Sequence, residues 1–208
     1  MSFTSFFSKQ ARKPEGFFGR FVMKLIFDRG NTFLNNFVEE LLEVQTDDRI
    51  FELGSGTGKL ISQLAPNIDG GYIEAIDFSA PMVAIARKRN NQNIARGKVK
   101  IVEGNFDELP HKKACFTKAC SVNTLYFWSK PEQTALKLAE ILKPGGSLVL
   151  AFEDFAQLKQ RKLDQDVFNF YSTYETEDLL RDAGFSQEVT VVSRKKGSAV
   201  FHCIVATK

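Results

Sequence analysis

The sequence predicts an α/β fold organised around a largely parallel sheet, and three observations predict it. Short apolar runs alternate with segments of helical periodicity along most of the chain. A glycine-rich turn at residues 54–58 falls where the first of those runs becomes a helix. Two β-rich runs, joined through Gly197-Ser198, close the chain as an antiparallel hairpin. The 208 residues suit one domain whose core needs neither disulfide nor metal.

Each element has its own local reason. A helix from about Thr32 to Val44 carries Phe33, Phe37, Leu41 and Val44 on one side. Arg49–Leu53 is the first strand. Lys59 to Ala65 follows as a helix with Leu60, Ile61 and Leu64 at helical spacing, ended by Pro66. Gly71–Ile76 is the second strand, and a helix runs from Ser79, its N-cap, to about Asn90, with Pro81 tolerated in the first turn. Lys98–Val102 and Cys115–Val122 are the third and fourth strands. Ser129-Lys130-Pro131-Glu132 reads as a capping box opening a helix whose Ala135, Leu138, Ala139 and Leu142 share a face. Pro144-Gly145-Gly146 breaks it. Ser147–Phe152 is almost wholly apolar, as a strand covered on both faces must be. A polar stretch with interspersed aromatics fills 154–172, a helix at about Glu175–Ala183 stops at Gly184, and Glu188–Ser193 with Ala199–Ala206 form the hairpin. Residues 31–208 are the domain, and 1–30 are a basic, Phe-rich N-terminal extension.

Composition removes several function classes. Hydrophobic residues at 43% and charged residues at 25% are globular proportions. The net charge is +3, but residues 1–30 hold six basic and two acidic residues, so the remainder is close to neutral. That confined surplus, with no Asn/Asp-Pro-Pro-Tyr/Phe motif, argues against a nucleic-acid substrate. Apolar stretches such as Leu148–Phe152 fall far below the ~20 residues of a membrane span, and no export signal opens the chain. Cys115, Cys120 and Cys203 form no CxxC pair, which fits thiols packed as small hydrophobes in a reducing cytoplasm, with no metal site expected.

The chemistry centres on Glu52-Leu53-Gly54-Ser55-Gly56-Thr57-Gly58. Glycines there let the backbone turn tightly and let a ligand approach the main chain. Asp77 ends the next strand 19 residues past Gly58, the ~20-residue offset at which an acidic side chain grips ribose hydroxyls. A nicotinamide or flavin enzyme would carry G-x-G-x-x-G, whereas this chain has G-x-G-x-G. No Lys-Ser/Thr pair follows, so a phosphate-binding P-loop does not fit.

At these residues the chain resembles the class I S-adenosylmethionine-dependent methyltransferases, and is most similar to their small-molecule, quinone-methyltransferase-like branch. Five patches across residues 30–206 carry the resemblance. Glu52–Gly58 matches the family's E/D-x-G-x-G-x-G loop. Asp77-Phe78-Ser79-Ala80-Pro81-Met82 matches its D-x-S-x-x-M segment, and Gly104-Asn105-Phe106-Asp107-Glu108-Leu109-Pro110 its G-D-A-x-x-L-P loop. Asn123–Trp128 resembles the segment after its fourth strand, and Leu142-Lys143-Pro144-Gly145-Gly146 its L-x-P-G-G turn. The resemblance implies a Rossmann-like three-layer sandwich with seven strands, the last antiparallel, and S-adenosyl-L-methionine as cofactor. It implies a cofactor site of Glu52, Gly54, Ser55, Gly56, Gly58, Asp77, Phe78, Met82, Asn105, Phe106 and Asn123. Glu52 would hold the loop from behind, Asp77 accept from ribose hydroxyls, and Phe78 and Met82 wall the adenine. Asn105 departs from the family's usual Asp, although its carbonyl still accepts a hydrogen bond.

Methyl transfer from a sulfonium needs mostly alignment, with a general base only for a hydroxyl or acidic carbon. His111 reads as a solvated loop residue and His202 as a structural one. Asn123, Tyr126 and Trp128 would face the methyl group, and Tyr126 is the catalytic candidate, as an orienting group or proton acceptor. Glu153 and Asp154 stand at the same edge, where either would meet a substrate cation or hydroxyl, although capping or solvent exposure is the simpler account of both. Phe155, Phe168, Phe170 and Tyr171 are candidates to roof an acceptor pocket. In the extension, Phe3, Phe6, Phe7, Phe17, Phe18 and Phe21 interleave with Lys9, Arg12, Lys13, Arg20 and Lys24, a pattern suited to an anionic membrane surface. Equally, those Phe would cap the cofactor site, with Asn31 and Asn35 part of the cap. The expected function is methyl transfer to a small, apolar or lipid-like acceptor. The rivals are a non-catalytic binding protein on the same fold and an NAD(P)-dependent oxidoreductase.

Overall fold

The computed structural model describes residues 10, 12, 30–161, 163–164, 166–186 and 188–208. The extension 1–30 therefore lies outside the described residues except for Gln10, Arg12 and Gly30. The elements are α1 (Thr32–Leu42), β1 (Arg49–Leu53), α2 (Lys59–Leu64), β2 (Tyr72–Asp77), α3 (Ala80–Arg89), α4 (Asn91–Ala95), β3 (Val99–Glu103) and β4 (Phe116–Val122). After these come α5 (Pro131–Ile141), β5 (Leu142–Glu153), α6 (Phe155–Gln160), α7 (Thr173–Asp182), β6 (Val189–Lys196) and β7 (Ala199–Thr207). Short 3₁₀ turns cover Ala65–Asn67 and Leu125–Phe127.

The strands make one seven-stranded sheet in the order β3-β2-β1-β4-β5-β7-β6. β1 to β5 pair in parallel. β7 lies antiparallel between β5 and β6, as the terminal hairpin requires. Chain order reverses between β1 and β4, and a crevice opens at the carboxyl ends of strands at such a point.

Both faces of the sheet are covered, so the central strands are apolar on both sides. In β5, Leu148, Leu150 and Phe152 enter the layer beneath α5 and α7, while Val149 and Ala151 enter the layer beneath α1, α2 and α3. α1 is fastened to the hairpin at its outer end. Phe33 meets Phe201 at 5.3 Å, and the Arg194 guanidinium sits 4.2 Å from the Phe37 ring centre while binding Glu40.

Two local expectations need correction. Ser129 does not cap α5. The N-cap is Lys130, with no side-chain cap bond, and Pro131 starts the helix with its preset φ. The capping box is at α7 instead, where Ser172 N–H donates to Glu175 Oε2 at 2.8 Å and Ser172 Oγ accepts from Glu175 N–H at 3.2 Å. Second, residues 143–146 do not precede the fifth strand but bulge within it. Leu142 pairs with Phe116 and Ser147 with Lys118, leaving the four residues between them looped out. The helix after β2 runs from the Ser79 N-cap to Asn90 as expected, and the short helix α4 follows it directly. The buried Asn90 side chain donates to Ala86 O at 3.0 Å and Gly58 O at 2.9 Å, tying this junction to the glycine turn.

Candidate active site

The glycine turn is held by the end of the neighbouring strand. Gly54 N–H and Ser55 N–H both donate to Ile76 O, at 2.8 and 3.1 Å. Gly56 N–H donates to Asp77 Oδ2 at 2.8 Å, and Ser79 N–H to Asp77 Oδ1 at 2.9 Å. Asp77 thus organises the turn and the start of α3 together, and each oxygen keeps acceptor capacity to spare.

The three glycines differ in what they do. Gly54 has φ +79°, and a Cβ there would lie 2.3 Å from Thr124 Cγ2. Gly58, at φ +69°, packs against α3 so closely that a Cβ would stand 2.8 Å from Ala86 Cβ and 2.9 Å from its Cα. Gly58 therefore supplies the close helix packing that G-x-G-x-x-G assigns to its third glycine. Gly56, at φ +49°, faces open space and lines the crevice.

Glu52 sits behind the turn. It is 3% exposed, and its Oε2 has no hydrogen-bond partner among the described residues. Burial, and then the neighbouring Asp77, push its pKa well above the usual carboxylate range. Asp77 is pushed up to about 6 by burial, against the lowering effect of the Ser79 and Gly56 N–H groups. Two partly neutralised carboxylates, one with an orphaned oxygen, make a wall that favours positive charge.

The crevice is a cavity of about 680 Å³ lined from every segment of the switch point. That volume suits a nucleoside-sized ligand with a small second molecule. All the cofactor-site residues read from the sequence line it: Glu52, Gly54, Ser55, Gly56, Asp77, Phe78, Met82, Asn105, Phe106 and Asn123, save Gly58, which packs behind. Asn105 caps its own turn, accepting from Asp107 N–H at 3.2 Å and donating to Glu108 Oε1 at 2.8 Å. Phe106 stacks near Phe51 and His111, at 5.2 and 4.5 Å between ring centres. From α5, Lys137 Nζ donates to the carbonyls of Phe106, Asp107 and Leu109 and fastens this loop.

Opposite stands a wall built from scattered positions. Asn123, at φ +56°, occupies a left-handed conformation that Asn tolerates better than most residues. Its Nδ2 donates to Asn31 Oδ1 at 3.0 Å, bringing α1 into the site. The Tyr126 hydroxyl accepts from Glu153 N–H at 2.5 Å and donates to Asn123 Oδ1 at 3.2 Å. Burial raises the Tyr126 pKa above that of a free phenol, so the side chain is a buried strut rather than a ready proton acceptor. Trp128 lines the cavity and donates to Thr124 Oγ1 at 3.1 Å.

Of the four aromatics proposed as a roof, Phe168 lines the cavity, together with Leu158 and Leu163 of the same insertion. Phe155 lies under Lys159, and Phe170 stacks behind Phe168. Asp154 is the N-cap of α6, accepting from Ala156 and Gln157 N–H. Glu153 departs from both capping and solvent exposure, being 8% exposed, on the cavity wall and paired with Arg161. His111 and His202 lie outside the cavity. His202 sits between Ser193 and Asp154. Thr124 also lines the site, from within the Asn123–Trp128 patch, as do Arg161 and Phe201, which no motif in the sequence marks.

Fold, switch point and acid-backed glycine turn together define a Rossmann-like α/β domain built to take a nucleoside-like ligand of positive charge. Residues 51–150 match the family described as "Methyltransferase domain". Those residues, just under half of the chain, carry a methyltransferase domain. It is 26% identical over 151 residues to the ubiquinone/menaquinone biosynthesis C-methyltransferase UbiE of Wigglesworthia glossinidia brevipalpis, covering 72% of this chain and 60% of that one. It is 32% identical over 103 residues to the demethylmenaquinone methyltransferase of Thermus thermophilus, covering 49% and 46% of the two chains. The match thus spans roughly half of these relatives' length. The fold is shared with Haemonchus contortus phosphoethanolamine N-methyltransferase 2 in complex with S-adenosyl-L-methionine, at a TM-score of 0.78 and 15% identity, over 100% of this chain and 60% of that chain. The donor set fits the family's cofactor. The orphaned Glu52 oxygen and Asp77 suit a ligand bearing ammonium and sulfonium groups, and would repel a pyrophosphate. Among the described residues, no helix is long and apolar enough to cross a membrane.

Proposed function

We propose that this protein transfers a methyl group from S-adenosylmethionine to a small, apolar or lipid-like acceptor. The observation that carries the reading is the pairing of Glu52 and Asp77 behind a glycine turn whose Gly56 faces the cavity. The bound sulfonium would supply an activated methyl group. Glu52 offers its free carboxylate oxygen to the ligand's positive charge, and Asp77 offers its remaining lone pairs to ribose hydroxyls. Phe78, Met82 and Phe106 form an apolar slot for the adenine beside Asn105. Asn123 borders the space between the two ligands, and Tyr126 acts by fixing Asn123 and the Glu153 backbone rather than by accepting a proton.

The apolar character of the second wall, with Phe127, Leu158, Leu163, Phe168 and Phe201, supports an apolar acceptor, as do relatives named for quinone methylation. If the acceptor is lipid-like, the interleaved Phe and basic residues of the extension suit a peripheral contact with an anionic membrane surface. Calorimetric titration of the wild type and Asp77→Ala with S-adenosylmethionine, S-adenosylhomocysteine and NADH tests the reading. Micromolar binding of the first two, lost in the variant, with no NADH binding, is the expected result. NADH binding, or none of the three, would defeat it, and cofactor binding without turnover on any acceptor would favour a non-catalytic role.

A further inference from the structure

The wall opposite the glycine turn holds one buried carboxylate, and its setting is specific. Glu153 is the last residue of β5 and is 8% exposed. Its backbone is set twice, by the pairing with Phe201 of β7 and by its N–H bond to the Tyr126 hydroxyl. Its Oε1 accepts from Arg161 Nη2, whereas Oε2 makes no hydrogen bond among the described residues. Leu158, Phe168 and Tyr126 line the cavity with it. Tyr126 therefore sits in the wall to aim a carboxylate whose second oxygen is uncommitted.

The electrostatics narrow what this carboxylate meets. With Arg161 the pair is neutral overall, so it has no net attraction for a charged molecule. An ammonium would be opposed by the guanidinium, and an anion by the carboxylate. A neutral molecule with a proton to donate meets neither penalty and satisfies Oε2. Burial raises the Glu153 pKa, and Arg161, with its side chain 55% exposed, opposes that rise.

We propose that Glu153, held by Arg161, receives the proton of the methyl acceptor, and that the acceptor is a neutral, largely apolar molecule with an acidic hydroxyl. The inference rests on the methyltransferase reading above. In the step, the proton passes from the acceptor oxygen to Glu153 Oε2. The electron pair it leaves, on oxygen or on a conjugated carbon, forms the new bond to the methyl carbon as the carbon–sulfur bond breaks and leaves its pair on sulfur. Glu153 is then a catalytic residue and Arg161 a positioning residue.

The test is a binding comparison on the full chain saturated with S-adenosylhomocysteine, using 2-naphthol and 2-methoxynaphthalene, two flat apolar probes that differ in the proton. Wild type is expected to prefer 2-naphthol by about ten-fold or more, the scale of a hydrogen bond to a charged group. Glu153→Gln should cut the preference to about three-fold or less and leave S-adenosylhomocysteine affinity unchanged. Arg161→Gln, which removes the group that holds the carboxylate, should lower the preference, though by less than Glu153→Gln does. Equal affinities in the wild type, a preference that survives Glu153→Gln, loss of it in Arg161→Gln alone, or binding of neither probe would overturn the proposal. So would tighter binding of 2-naphthoate, which would make Arg161 the reader of an anion. Failure of wild type to bind S-adenosylhomocysteine is seen in the first titration and overturns the methyltransferase reading instead.

Discussion

The two sides of the cavity are made in different ways. The cofactor side is a backbone device, with the N–H groups of Gly54, Ser55 and Gly56 spent on Ile76 O and the Asp77 carboxylate. It comes from a contiguous run, Glu52–Gly58, and one acidic residue. The proposed acceptor side is a side-chain device, assembled from the cavity-lining Asn31, Asn123, Tyr126, Glu153, Arg161, Phe168 and Phe201. Backbone devices depend on glycine and on register, so few substitutions are tolerated. Side-chain devices can be changed one residue at a time, which is how one fold serves many acceptors.

The sharpest way to break the cofactor side is at its glycines. Gly58→Ala combines a left-handed backbone with a 2.9 Å approach to the Ala86 backbone, and should cost about 2–5 kcal/mol in urea unfolding. It should abolish S-adenosylhomocysteine binding as well. Next is Asp77→Asn, which should weaken that ligand by about ten-fold. Burial pushes the Asp77 carboxyl from the ordinary 3.8 up to about 6, so the ionised form weakens the fold above pH 6 and the cost vanishes below about 3.8. The melting temperature of Asp77→Asn should therefore rise relative to wild type between pH 4 and 7, by about 2–4 °C.

Substitutions on the acceptor side should separate stability and turnover from cofactor affinity. Tyr126→Phe removes the partner of the buried Glu153 N–H and should cost about 1–2 kcal/mol. Methyl transfer should fall while S-adenosylhomocysteine affinity stays within about two-fold, since Tyr126 makes no bond to the glycine turn. The smallest effect is expected at Asn105→Asp. It restores the family's usual acid but loses the bond to Glu108 and places a third carboxylate beside Asp107 and Glu108. Cofactor affinity should change by less than about three-fold.

Legibility followed the same division. The strand positions along the chain, the glycine turn and the Asp77 offset were readable because each is set by neighbours in sequence. The terminal hairpin was readable from its turn. Ser129 misled because a capping box can be written where the chain does not enter the helix. The Thr134 hydroxyl, in the first turn of α5, binds Asp107 Oδ1 at 2.8 Å and Lys130 O at 3.1 Å. Arg161 and Phe201 carried no local signal, since their role comes from where the insertion and the hairpin fold back. Glu153 was visible as an acidic residue at a strand end, but its partners, Tyr126 on the neighbouring strand's loop and Arg161 of the insertion, are set by the fold.

The most direct measurement of the central claim is a side-by-side titration of wild type and Glu52→Gln with S-adenosylmethionine and NADH. If the buried acid pair selects a cationic ligand, wild type binds S-adenosylmethionine and not NADH, and Glu52→Gln weakens S-adenosylmethionine by about ten-fold without unfolding the protein. Binding of NADH, or an unchanged S-adenosylmethionine affinity in Glu52→Gln, would contradict the account.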